Sequence, residues 1–391
     1  MPRVVFGLQG LQQHGVQQQG FLPDAALDAS LSFVRAMAAH RRDMVAGLSV
    51  DPQSDASWLT RLLPAGLPIL SAKEVQAIDG PLVFHVLSLL SGRGAQQLWP
   101  AWARPATVAL AVSVHDDLTR LALESSSDTP EGRLNQSRHR LIRRADAVIA
   151  TSHAGALDAI GWGHATPEKV FVAHETVNNP CSAVSEGSAP RIDGFNAAGD
   201  FVVSPACASS SMHTENIVRT FTGLASQLPG DPQLVLVAKQ GRTFAPNYIA
   251  DLDGDSRPPV IVATGLELSE LRWLYRSCLV TVIGGVDNGS AAAAIEAAAH
   301  GSGVVAADHD ALLELIPEPD ARFYPTSMDS ISSVLRRCLT DGEFCRARRE
   351  ETARAFAGYS EEGAAEALTF AYRRAAAGRP RRRLPESAAS L

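Results

Sequence analysis

The feature that most constrains this chain is an alternation along nearly its whole length. Short apolar runs rich in Val, Ile, Leu and Ala are separated by longer stretches of helical period. Strands buried on both faces read as continuous apolar runs, so the pattern predicts parallel sheets covered by helices. In the first half, strands are predicted at residues 4–8, 44–50, 81–87, 107–114, 147–151 and 170–173, with helices at 27–39 and 132–144. Residues 179–200 are rich in Pro, Gly, Ser and Ala and poor in large apolar side chains, as a linker between cores should be. A second alternation follows, with strands at 201–204, 233–238, 260–263, 279–283, 303–306 and 321–324. Helices are expected between them at 214–226, 267–276, 291–300, 330–339 and 342–357.

The expected fold class is therefore α/β, with two Rossmann-like domains facing across a cleft. Ligands usually bind such folds outside the carboxyl ends of the strands. The 391 residues divide into an N-terminal domain at 1–178, the linker at 179–200 and a C-terminal domain at 201–374. The last helix, near 363–374, is expected to cross back to the first domain, and 375–391 to form a disordered basic tail.

Charge and composition remove several classes. Lys and Arg number 35 against 42 Asp and Glu, a formal charge of −7, which argues against a nucleic-acid partner. No apolar run is long enough to span a bilayer. The first residues lack the apolar core of a secretion signal, so a cytoplasmic location is expected, with at most surface contact with a membrane through the basic tail. Five cysteines without a Cys-x-x-Cys pair suggest neither a zinc ribbon nor a disulfide framework.

Missing motifs narrow the chemistry further. The loop after the first strand is a run of glutamines with scattered glycines, not the G-x-G-x-x-G of a dinucleotide site. There is no phosphate-binding G-x-x-x-x-G-K-[ST], no His-Glu-x-x-His and no Gly-x-Ser-x-Gly. What stands out instead is His115-Asp116-Asp117 at a strand end, and Gly289 and Ser290 just before a predicted helix. Unpaired amides and the helix dipole at such an N-terminus attract phosphate, although Ser290 as a simple N-cap explains the same residues.

An ordered series of segments resembles the GT-B retaining glycosyltransferases of the group-1 type, particularly bacterial mannosyltransferase-like members. In the first half these are Val5-Phe6-Gly7-Leu8-Gln9-Gly10, residues 30–38, Phe84-His85-Val86, Val112-Ser113-Val114-His115-Asp116-Asp117-Leu118 and 144–152. In the second they are Phe201-Val202-Val203-Ser204, 234–241, Thr264-Gly265-Leu266, Leu271-Arg272-Trp273-Leu274-Tyr275, and 291–301 leading into Val304-Val305-Ala306. The series spans about residues 3–374.

The resemblance implies transfer of a sugar from a nucleotide-sugar donor to a saccharide or glycolipid acceptor with retention of configuration, in glycan biosynthesis, without metal or cofactor. The family's Glu-x7-Glu motif falls on Asn288 to Glu296. Glu296 matches the acid that accepts hydrogen bonds from the ribose hydroxyls. Asn288 stands where the family has an acid facing the donor sugar, and Asp287 is its acidic neighbour. Gly289 and Ser290 would offer amides to the diphosphate. His115 matches the histidine that approaches the donor sugar, with Asp116 beside it. Gln9, Gly10, Gln17, His85 and Asp116 fall on the acceptor side.

The resemblance also exposes departures. Relatives carry Arg and Lys after the second domain's first strand, whereas residues 204–216 here offer only His213 as a possible cation. Lys239 and Arg242, after the next strand, are the remaining candidates for the phosphates. The same departures carry the alternative, a homologue that kept the fold as a binding or scaffold protein and lost turnover.

Overall fold

The computed structural model describes residues 1–8, 25–50, 59, 63–87, 107–115, 129–177, 188–205, 213–238, 260–286 and 288–377. They form two compact units. Apart from Ala25, the first contains the described residues up to Thr176 and from Tyr359 onward, and the second those of Val177–Gly358.

In the first unit the strands are β1 (Arg3–Gly7), β2 (Val45–Ser49), β3 (Leu82–Val86), β4 (Val108–Val114), β5 (Ala147–Ala150) and β6 (Val170–Val172). Its helices are α1 (Ala25–His40), α2 (Ala72–Gln76), α3 (Pro130–Arg144) and α4 (His153–Gly161). The six strands pair in parallel in the order β2-β1-β3-β4-β5-β6. β1 to β5 are apolar and almost wholly buried, as two-sided coverage demands. Val5, Phe84, Val112 and Val148 belong to one core cluster on this sheet.

The second unit carries β7 (Phe201–Pro205), β8 (Gln233–Ala238), β9 (Val260–Thr264), β10 (Thr281–Ile283), β11 (Val304–Ala307) and β12 (Arg322–Phe323). Its helices are α5 (Thr214–Ala225), α6 (Leu268–Ser277), α7 (Asn288–Ala299), α8 (Asp310–Leu313), α9 (Met328–Thr340) and α10 (Gly342–Phe356). This sheet is also parallel, in the order β12-β11-β10-β7-β8-β9. All twelve predicted strands are present, each end within two residues of its expected place.

Local chemistry explains the boundaries. Thr129 caps α3 through the amide of Gly132 at 3.0 Å, with Pro130 at the first helical position where its missing N–H costs nothing. Asp341 accepts from the amides of both Glu343 and Phe344 to start α10.

The second unit differs from the expected C-terminal domain in its bounds, at its start and at its end. Residues 188–200 do not run free as a linker but are folded onto the second unit. There the amide of Asn196 donates to Gln233 Oε1 at 2.7 Å, and Gln233 Nε2 donates to the carbonyl of Gly194 at 2.8 Å. The final helix, α11 (Glu361–Ala377), lies against β3, β4, β5 and β6 and so belongs to the first unit. Its Ala364, Ala365, Leu368, Ala371 and Tyr372 are buried there, and the small residues let the helix sit close to the sheet. Of the predicted tail, residues 378–391 lie outside the described residues. No helix among the described residues is long and apolar enough to cross a membrane.

Candidate functional site

Because every strand of the first sheet is parallel, their carboxyl ends share one edge. β4 ends at Val114, and the chain leaves the sheet at His115. β6 ends at Val172, and Glu175 follows three residues later. The Nδ1 of His115 lies 2.8 Å from Oε1 of Glu175, reaching across the end of β5. Both side chains are nearly inaccessible, at 6% and 10% exposure, so this is a desolvated pair. An ionised carboxylate can only accept, which makes Nδ1 the donor and fixes the ring's orientation.

The outer nitrogen of that ring is left over. Nε2 of His115 is buried and has no hydrogen-bond partner among the described residues, and the same holds for Oγ1 of the neighbouring Thr176. Phe33 packs against the imidazole at 5.6 Å between ring centres. A buried polar atom without a partner costs about 1–3 kcal/mol, so such atoms need an explanation, and a polar ligand supplies one.

His85 has a different role from the one predicted. Its ring is fully buried in β3, with Nδ1 2.7 Å from the Tyr372 hydroxyl and Nε2 2.6 Å from Ser113 Oγ. Phe6, Phe33 and Tyr372 surround it. Burial, aided by the nearby His115, lowers its pKa to about 3, so the ring stays neutral. Both nitrogens are occupied, and His85 is therefore a core residue rather than an acceptor-side ligand.

In the second unit, α7 starts at Asn288 directly after β10, three residues earlier than expected. Asn288, Gly289 and Ser290 thus form its first turn, and Ser290 is not the N-cap. The first turn of a helix carries amides without intrahelical partners, at the positive end of the dipole. Two turns on, half-buried Glu296 accepts a hydrogen bond from the hydroxyl of Tyr275 on α6, 3.2 Å from Oε2. Tyr275 is buried, and its ring stacks on His300 at 6.0 Å. Burial and then the adjacent carboxylate push the phenol's pKa well above its ordinary value, so it remains a donor. The result is a carboxylate anchored on one oxygen by a neutral donor.

His213 is half-buried at the start of α5, in the left-handed region at φ 46°, and its side chain makes no capping hydrogen bond. Gln9, Gly10, Gln17, Asp116, Asp287, Lys239 and Arg242 lie outside the described residues.

Sequence reasoning missed Glu175 and Tyr275. Glu175 stands 60 positions from its partner, and nothing local marks it as a histidine's mate. Tyr275 sits in an apolar helical stripe where an aromatic residue reads simply as core. A signal did exist for it, since it lies 21 positions before Glu296 on the helix preceding α7.

This architecture is the GT-B fold, two Rossmann-like α/β units of the kind that glycosyltransferases share. No family model matches the chain. In sequence it is 26% identical over 209 residues to the serotype-specific mannosyltransferase WbdA of Escherichia coli, covering 52% of this chain and 26% of that one. The chain thus spans about a quarter of the length of the curated relatives it matches. Among solved structures, Anabaena Alr3699/HepE in complex with UDP is similar at a TM-score of 0.64 and 16% identity, covering 95% of this chain and 99% of that one. Sucrose-phosphate synthase from Thermosynechococcus elongatus gives a TM-score of 0.61 at 16% identity, covering 95% and 98%.

Proposed function

We propose that this protein is a glycosyltransferase that takes a hexose from a nucleotide-sugar donor and passes it, with retention of anomeric configuration, to a saccharide or glycolipid acceptor in glycan assembly. The observation that carries the reading is Glu296. It is a carboxylate held by a neutral buried phenol, two turns from a helix N-terminus at a parallel sheet's carboxyl edge. A carboxylate offers two acceptor oxygens, which suits the vicinal hydroxyls of a ribose, and the helix start suits a diphosphate. The similarity to WbdA supports a sugar as the transferred group, and HepE, solved with UDP, supports a nucleotide as its carrier.

In the reaction, the bond between the anomeric carbon and the diphosphate oxygen breaks, and the electron pair leaves with the nucleoside diphosphate. An acceptor hydroxyl forms the new glycosidic bond, and its proton passes to an oxygen of the departing diphosphate. Amides of the first turn of α7 stabilise the charge on the leaving diphosphate. His115, oriented by Glu175, presents Nε2 to a sugar hydroxyl. Location in the cytoplasm, and operation without metal or cofactor, are part of the same proposal.

Calorimetry with UDP-, GDP- and ADP-linked sugars tests it. At least one should bind, and Glu296→Ala should weaken that binding by about 1–3 kcal/mol through loss of a charged hydrogen bond. Binding without any turnover in the presence of acceptor would favour the alternative of a non-catalytic homologue, which the neutral residue at 288 supports.

A further inference from the structure

The second unit buries an arginine to which the described residues supply no charged or hydrogen-bonding partner at two of its nitrogens. Arg272, on α6, is only 7% exposed, and its Nε and Nη2 are buried without a hydrogen-bond partner among the described residues. Other buried arginines are engaged. Arg138 donates to Asn135 at 2.6 Å, and Arg348 pairs with Glu318 and Glu351. A guanidinium cannot shed its charge to escape the cost of desolvation, so an unmatched one is retained against a penalty unless an anion joins it.

Its place in the fold says where that anion would sit. α6 and α7 each run back from the carboxyl ends of parallel strands, so they point the same way. Tyr275 fixes their register by bonding Glu296. Arg272 is one turn before Tyr275 on the same flank of α6, level with the turn of α7 that precedes Glu296. Long helical side chains lean toward the helix N-terminus, which carries the guanidinium on toward residues 288–290. The stretch 204–216 holds no Arg or Lys.

We propose that Arg272 is the buried cation of a diphosphate subsite, pairing in bidentate fashion with phosphate oxygens that also accept amide N–H groups from the first turn of α7. The inference rests on the nucleotide-sugar reading and adds the residue that replaces the missing cations. Guanidinium and phosphate match in geometry as well as charge, so a lysine there is an incomplete substitute.

The test compares wild type with Arg272→Met and Arg272→Lys in the full chain. Calorimetry is run with UDP, GDP and ADP, with the corresponding nucleosides, and with inorganic pyrophosphate. For the diphosphate that wild type binds, the Met variant should lose about 10- to 100-fold in affinity and the Lys variant less, while nucleoside binding is unchanged. Pyrophosphate binding should fall in parallel. Without ligand, the Met variant should melt no lower than wild type, because it removes an uncompensated charge. Diphosphate affinity equal to wild type in the Met variant would overturn the role of Arg272 and leave the nucleotide reading intact. So would a lower ligand-free melting temperature with diphosphate and nucleoside weakened alike. Failure of wild type to bind any nucleoside diphosphate would remove both.

Discussion

His115 and Glu175 are joined at 2.8 Å across the carboxyl end of β5, each carried by the loop after a different strand. The pair is desolvated, so its two members are worth more together than either is alone. Removing the carboxylate strands a buried N–H, whereas replacing it with an amide keeps an acceptor in place.

Glu175→Ala should therefore destabilise the protein by about 1–3 kcal/mol, and Glu175→Gln by clearly less. Sugar transfer should fall in both, because the ring that presents Nε2 loses its fixed orientation. Urea denaturation alongside a transfer assay would check this. Equal and negligible stability losses would mean that the hydrogen bond does not hold in solution.

His85 gives the stability a pH dependence of known sign. Its folded pKa of about 3 lies below the ordinary value of 6.5, so the folded state resists a proton that the unfolded chain accepts. The contribution is complete above pH 6.5 and is lost progressively as pH falls toward 3. The slope from this one group approaches about 1.4 kcal/mol per pH unit. Denaturant midpoints of wild type and His85→Gln at pH 7 and pH 5 should show the shallower dependence in the variant. Identical slopes would place the ring outside the core.

His85 and His115 mark the limit of what the sequence can tell. Both follow apolar strand residues, and in a sheet covered on both faces no alternation reveals which way a side chain points. The strands themselves were legible because their apolar runs are unbroken, and β8 matches its predicted span at both ends. The start of α7 was less so. Asn288, Gly289 and Ser290 resemble a loop in composition, yet they form a helical turn once the alanines behind them propagate the helix. Glu175, Tyr275 and Arg272 escaped notice for one shared reason: their meaning depends on partners, or on a lack of partners, that only the folded chain reveals.

Tyr275→Phe isolates the anchor of Glu296. It deletes one hydroxyl from a buried ring without changing its packing, so stability should drop by about 0.5–1.5 kcal/mol. Nucleotide affinity should fall as well, since the carboxylate loses the contact that orients it. The two readouts separate a packing role from a positioning role. A stability loss with unchanged nucleotide affinity would show that Glu296 does not depend on the phenol to meet its ligand.

Asn288→Glu asks whether the chain retains the rest of a working transferase. The substitution falls in the first turn of α7, where a carboxylate meets the positive end of the helix dipole and adds about 0.3–1 kcal/mol of stability. Any change in activity can therefore be separated from damage to the fold, provided the melting temperature does not drop. If residue 288 faces the donor sugar, the new carboxylate stabilises positive charge developing at the anomeric carbon. Transfer, or hydrolysis of the donor in the absence of acceptor, should then rise, by an amount that can reach the 10- to 1000-fold, about 1.4–4 kcal/mol, carried by one well-placed electrostatic group. Product release measured by chromatography at saturating donor would register it. A variant that still binds the donor, melts no lower than wild type and yet hydrolyses no faster would take residue 288 away from the sugar and leave Glu296, with the helix amides, as a nucleotide grip alone.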